Sequence, residues 1–118
     1  MHVYLAGPMT GYPDYNRPAF HAAQRWLEAR GHSVINPAHH DITDGTWEQY
    51  LALALHVIHA GQPDAIVMLP GWQASRGARL ERASIAGIMA KPAYSLISNG
   101  HPGEYWMVEQ DNNGGVRA

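Results

Sequence analysis

Short apolar runs, each stopped by glycine or proline, alternate along this chain with longer stretches of helical periodicity. Val3, Tyr4, Leu5 and Ala6 follow one another within Met1–Ala6 and halt at Gly7-Pro8. That reads as a buried first strand. From Asn16 or Arg17, as cap, the period changes. Pro18 suits a first helical turn, and Phe20, Ala23, Trp26 and Leu27 recur on one face up to Gly31. His32 to Asn36 is a second strand, stopped by Pro37. Thr46-Trp47-Glu48-Gln49 has the capping-box pattern, and the helix it opens carries Trp47, Leu51, Ala54, Leu55 and Ile58 on one face and ends near Gly61. Ala65 to Leu69 is an unbroken apolar run and predicts a central strand. A third helix is predicted over about Ala78 to Ala90, burying Leu80, Ile85 or Ala86, Ile88 and Met89. Ala93 to Ile97 is a fourth strand. Tyr105 to Val108 is open between a short fifth strand and a packed tail.

Strands without polar alternation, separated by helices, predict an α/β fold: a flavodoxin- or Rossmann-like three-layer sandwich on a four- to five-stranded parallel sheet. The first and third strands are expected side by side at the switch point, with the loops after the strands gathered at one edge. Residues 1–110 read as a single domain. Residues 111–118 read as a flexible tail, since Asp111-Asn112-Asn113-Gly114-Gly115 offers nothing to bury.

Composition narrows the classes of function. A length of 118 residues suits one core. A net charge of −2 announces no nucleic-acid polymer and no acidic membrane surface. The chain has no cysteine, which excludes thiolate chemistry and fits a cytoplasmic protein. The opening residues lack a basic-then-apolar pattern, so no signal peptide is expected, and no apolar run approaches membrane length.

Candidate chemistry concentrates between Asp64 and Glu81. Strand, glycine-bearing loop (Gly71, Ser75, Gly77), helix start and carboxylate follow in that order. In an α/β sheet such a loop is where ligands bind. Glu81, placed in a first turn, is either a dipole-stabilised anion with a task or simply a good first-turn residue. The polar and aromatic loop from Met9 to Asn16 is either a binding element or an ordinary connection. The eight histidines invite a metal reading, densest at His39-His40-Asp41, but adjacent residues converge poorly on one ion. No cofactor and no metal are predicted, and Gly7 with Gly11 makes no dinucleotide fingerprint. Asp64 reads as a strand-edge cap.

Tyr4-Leu5-Ala6-Gly7-Pro8-Met9, with Ser75-Arg76-Gly77-Ala78-Arg79-Leu80-Glu81 followed by Ala83 and Ala86-Gly87, resembles the nucleoside 2-deoxyribosyltransferase family. The nearest likeness is to a phage and prophage sub-family, through YLAGPMTGYPDYNRPAF, the Asn36-Pro37 pair and LPGW-x-x-S-x-G-x-x-x-E. The likeness spans about Met1 to Leu96. It implies that Glu81 is the nucleophile at C1′ of a deoxyribonucleoside, forming a covalent glycosyl-enzyme that a second base or water resolves. It implies a hydrolase or transferase acting on a nucleoside or its 5′-monophosphate and assembled as a homodimer or larger. Tyr4, Gly7, Pro8, Met9, Tyr15, Asn36, Gly71, Trp72, Ser75, Arg76 and Gly77 would bind substrate. In related deoxynucleoside-monophosphate N-glycosidases a serine matching Ser75 meets the 5′-phosphate, and Arg76 or Arg79 would add charge here. Tyr4, Tyr12, Tyr15 and Trp72 are candidates to sandwich a base or sugar.

Two departures stand out. Family enzymes carry a second-helix aspartate where this chain reads Leu51-Ala52-Leu53-Ala54-Leu55-His56, with His56 the one ionisable group. The phosphate-binding relatives have Ser and Arg after the first strand, where Pro8 and Thr10 stand here. A non-catalytic nucleotide-binding or sensing module that keeps the pocket is therefore the alternative.

Overall fold

Alternation along the two central strands sorts the core into two halves. In the computed structural model, which describes residues 1–37 and 46–116, strand β1 (His2–Ala6) pairs in parallel with β3 (Ala65–Met68), from Val3 opposite Ala65 to Ala6 opposite Met68. Successive strand side chains point to opposite faces. Val3, Leu5, Ala65, Val67 and Leu69 accordingly pack with Phe20, Ala23, Trp26 and Leu27 of helix α1 (Arg17–Glu28). Tyr4, Ala6, Ile66 and Met68 face the other way. They meet Ile58 of α2 (Trp47–Gly61), Ala78 of α3 (Arg76–Arg82) and Ile85 in the π-helical turn Ala83–Ile88 that continues α3. Each large side chain hidden in these layers contributes roughly 1.5–3 kcal/mol.

The sheet order is β2-β1-β3-β4-β5, with β2 at Ser33–Ile35, β4 at Ala93–Ser98 and β5 at Tyr105–Glu109. This is the flavodoxin-like order, with the switch point between β1 and β3. The first four strands are parallel, and β5 is antiparallel to β4. The cause is the connection: residues 99–104 are too few for a crossover and suffice for a hairpin. The sheet is therefore not wholly parallel. At the N-terminal ends of the two central strands, Asp64 accepts from the His2 backbone N–H at 2.8 Å, as a strand-edge cap should.

Helix boundaries differ from the sequence reading in instructive ways. Asn16 precedes α1 in a left-handed conformation with no side-chain cap, and its amide donates instead to the Pro8 carbonyl at 2.9 Å. The Thr46–Gln49 capping box forms as expected. At the end of α2 it is Gln62 that turns left-handed, with φ 44°. Gly61 remains helical, and it gives Ile35 room, since a Cβ there would lie 2.5 Å from Ile35 Cδ1. Leu55, Leu80 and Ile88 are exposed, so the buried faces of α2 and α3 are narrower than their apolar content suggests.

The segment that reads as a loose end closes a turn. The amides of Asn113 and Gly115 donate to Asp111 Oδ1, and Gln110 pairs with Val116 across it. Gly114, at φ +86°, rests on Trp72, where a Cβ would come within 2.8 Å of the indole. Among the described residues no helix is long and apolar enough to cross a membrane.

Candidate active site around Glu81

Helix α3 starts earlier than its glycine suggests. Ser75 Oγ accepts from the Ala78 N–H at 3.2 Å, which makes Ser75 the N-cap and puts Arg76 and Gly77 in the first turn. Glu81 is then in the second turn, not the first, so the helix dipole has largely faded where its carboxyl stands. Burial takes over. Glu81 is 2% exposed and accepts a hydrogen bond from the Tyr4 hydroxyl. Loss of solvent pushes its carboxyl up to about 7, opposed by the Tyr4 hydrogen bond. The expectation of a dipole-held, fully ionised and exposed carboxylate is thus corrected. At neutral pH the group is poised between its two forms.

Tyr4 reaches this carboxyl because β1 alternates: residues 3 and 5 face α1, residue 4 faces α3. Its phenol is held well above the ordinary range by burial and by the Glu81 charge. Fully buried, it stacks on no ligand and serves as the donor to Glu81. Tyr50 of α2 completes the group. Its Cε1 lies 3.8 Å from where a Cβ of Gly77 would be, and its hydroxyl donates to Met9 Sδ at 3.3 Å. Burial, and then the Glu81 charge, raise its pKa. Tyr4, Pro37, Tyr50, Leu53, Ala54 and Val57 line a hollow of about 10 Å³, the size of a water and not of a nucleoside. The loops after β1 and β3 also meet. Tyr12 Oη and Pro8 Cγ lie 3.0 and 3.4 Å from a Cβ built on Gly71.

Glu81, Tyr4, Gly77 and Met9 are therefore brought together, with Pro8 and Gly71 meeting at the adjoining loops. The other expected binding residues are placed elsewhere. Gly7 packs toward the α1 side, where an added Cβ would sit 2.7 Å from Leu69 Cβ. Asn36 is buried and donates to Gln24 of α1 at 2.8 Å. Period-two alternation sends it to the side of Val34, away from Tyr4. Trp72 is a core residue under Gly114 and Arg82, not a ligand-facing ring. Tyr15 is exposed in a left-handed stretch with Arg17 over its ring at 5.2 Å. Ser75 is engaged as a cap, Arg76 stacks on Trp47 at 3.7 Å, and Arg79 donates to the Gln73 carbonyl. The phosphate-binding cluster expected of these residues is not assembled. His56 is exposed.

Tyr50 is the residue that sequence reasoning missed. It lies one position before the stretch searched for a second carboxylate, and a tyrosine inside an amphipathic helix reads as packing. The spacing Trp47, Tyr50, Ala54, Val57 carried the signal. Among the described residues no group of three His, Asp or Glu side chains could hold a metal. The His39-His40-Asp41 cluster, with Ala38 before it, lies outside the described residues.

Compared with known proteins, residues 1–94 match the family described as "Domain of unknown function (DUF4406)". No curated protein and no solved structure matches the chain.

Proposed function

The chain belongs to the DUF4406 family, whose description assigns no activity, and from the site itself we propose an N-glycosidase or 2-deoxyribosyltransferase acting on deoxynucleosides or their 5′-monophosphates. One observation carries this reading. A single carboxyl, 2% exposed and held by a buried tyrosine, stands beside the β1–β3 switch point with its pKa pushed to about 7. Strongly shifted groups in such places are candidates for chemistry.

The environment suits a carboxylate nucleophile. Burial that disfavours the charged carboxylate equally favours the uncharged ester formed when Glu81 Oε bonds to C1′. Before that bond closes, the positive character growing on the sugar faces an unscreened negative charge. Tyr4 fixes the carboxyl so that one oxygen stays engaged while the other attacks. Water, or a second base, then takes the sugar and returns the carboxylate. The resemblance of the Tyr4–Met9 and Ser75–Glu81 segments to nucleoside 2-deoxyribosyltransferases supports the same chemistry. It also suggests a homodimer or larger assembly.

A second reading is favoured by the small hollow and by the absence of a second carboxylate from its described lining: a nucleotide-binding module without turnover. Incubation with deoxynucleosides and their monophosphates, followed by chromatography of free base, separates the two. Release by the wild type that is lost in Glu81→Gln is expected. Saturable binding without release would favour the second reading.

A further inference from the structure

Resting on the reading of Glu81 as nucleophile, we propose that Tyr50 meets the departing base, its phenolic O–H donating a hydrogen bond as the bond from C1′ to the base breaks.

Two phenols approach one carboxyl from different elements. Tyr4 comes from β1 and is bonded to Glu81. Tyr50 comes from α2, and its ring stands against Gly77. Gly77 and Glu81 are four residues apart and share a face of α3. Both phenols line the same hollow, and among its described lining residues they are the only polar side chains.

The two hydroxyls are not equivalent. The proton of Tyr4 is engaged by Glu81, whereas among the described residues Tyr50 donates to the Met9 thioether, at 3.3 Å. Thioether sulfur is a weak acceptor. Exchanging it for a carbonyl oxygen or ring nitrogen of a base gains a true hydrogen bond at a part-buried hydroxyl. Burial and the charge of Glu81 keep the Tyr50 proton on its oxygen. Tyr50 therefore stabilises charge as a donor and does not itself deliver a proton.

The step balances on that basis. Glu81 Oε forms its bond to C1′, and the electron pair of the C1′–N bond passes to the base. Tyr50 shares the resulting negative charge. Water then attacks C1′, freeing the Glu81 carboxylate, and its proton ends on the base. In transfer, the incoming base supplies that proton from its own N–H.

Tyr50→Phe is compared with wild type on two substrates: a natural 2′-deoxynucleoside and 4-nitrophenyl 2-deoxyriboside, whose nitrophenolate departs unaided. The variant should lose about a hundredfold on the natural base, the usual effect of removing one such donor, and stay near wild type on the nitrophenyl substrate. Equal losses on both, in an active wild type, overturn the assignment of Tyr50 alone. A wild type that releases neither base nor nitrophenolate overturns the reading of Glu81 and this assignment with it. A second variant keeps the hydroxyl and the packing: 3-fluorotyrosine at position 50, a stronger donor. It should release base faster than wild type and nitrophenolate at the wild-type rate. Unchanged or slower base release overturns the proposal.

Discussion

At the scale of single residues, Glu81 dominates because no cation among the described residues offsets its burial. Its carboxyl titrates near 7 in the fold against 4.5 for a free side chain. The protonated form is thus the one the fold prefers. The stability that Glu81 confers is complete below about pH 4.5 and lost as pH rises through 7. A shift of this size is worth about 3 kcal/mol. Glu81→Gln mimics the protonated form and keeps an acceptor for Tyr4. Its unfolding free energy, measured in denaturant at pH 5 and pH 8, should fall less with pH than that of wild type, leaving the variant the more stable at pH 8. Parallel pH dependences would mean that Glu81 is solvated after all. Glu81 was legible in the sequence as the carboxylate after a strand and a glycine loop. Its environment was not, because the cap at Ser75 shifts the helix start by two residues and puts Glu81 in the second turn, where Tyr4 of β1 meets it. Tyr50 was legible only as one of the helically spaced positions Trp47, Tyr50, Ala54 and Val57, which does not tell a packed tyrosine from one facing a distant carboxyl.

At the scale of elements, strands and helices followed from apolar runs and caps, while their functions at the site did not. Gly7 illustrates this. Its place after β1 suggests room for a ligand, yet the structure puts Leu69 where its side chain would be. Gly7→Ala should cost about 1–3 kcal/mol, the usual range for overpacking, read as a lowered denaturation midpoint. A neutral substitution would show that β1 and β3 separate more easily at this edge than their register implies. The capping box of α2 makes a smaller claim. Thr46→Ala removes the acceptor for the Gln49 N–H and should cost about 1 kcal/mol. Because α2 carries Tyr50, hydrogen exchange in its first turn should quicken in that variant; unchanged exchange would place the control of α2 elsewhere.

At the scale of the whole molecule, the sheet order brings the site together, and the C-terminal turn packs on Trp72 and Arg82. Gln110 Nε2 donates to Ser95 Oγ at 2.8 Å, Arg82 Nε donates to Gln110 Oε1 at 2.7 Å, and Gly114 covers Trp72. Composition shows none of these contacts, since they are made by backbone and by one buried glutamine. Truncation after Glu109 strips these partners and should cost at least ~2 kcal/mol, seen as a lower urea midpoint; an unaltered midpoint would mean that the turn only rests there. The pairing of β1 with β3 was readable from the order of elements, and the short connection over residues 99–104 held the direction of β5. The convergence of β1, α2 and α3 on one carboxyl was not readable, because it depends on which face each strand residue takes. The central claim is that this convergence makes Glu81 a nucleophile. Mass spectrometry of the protein after reaction with a slowly resolved 2′-fluoro-2′-deoxynucleoside tests it directly. One sugar unit attached to the peptide carrying Glu81, and absent from Glu81→Gln, is the predicted result. Base release without that adduct, persisting in Glu81→Gln, would contradict it.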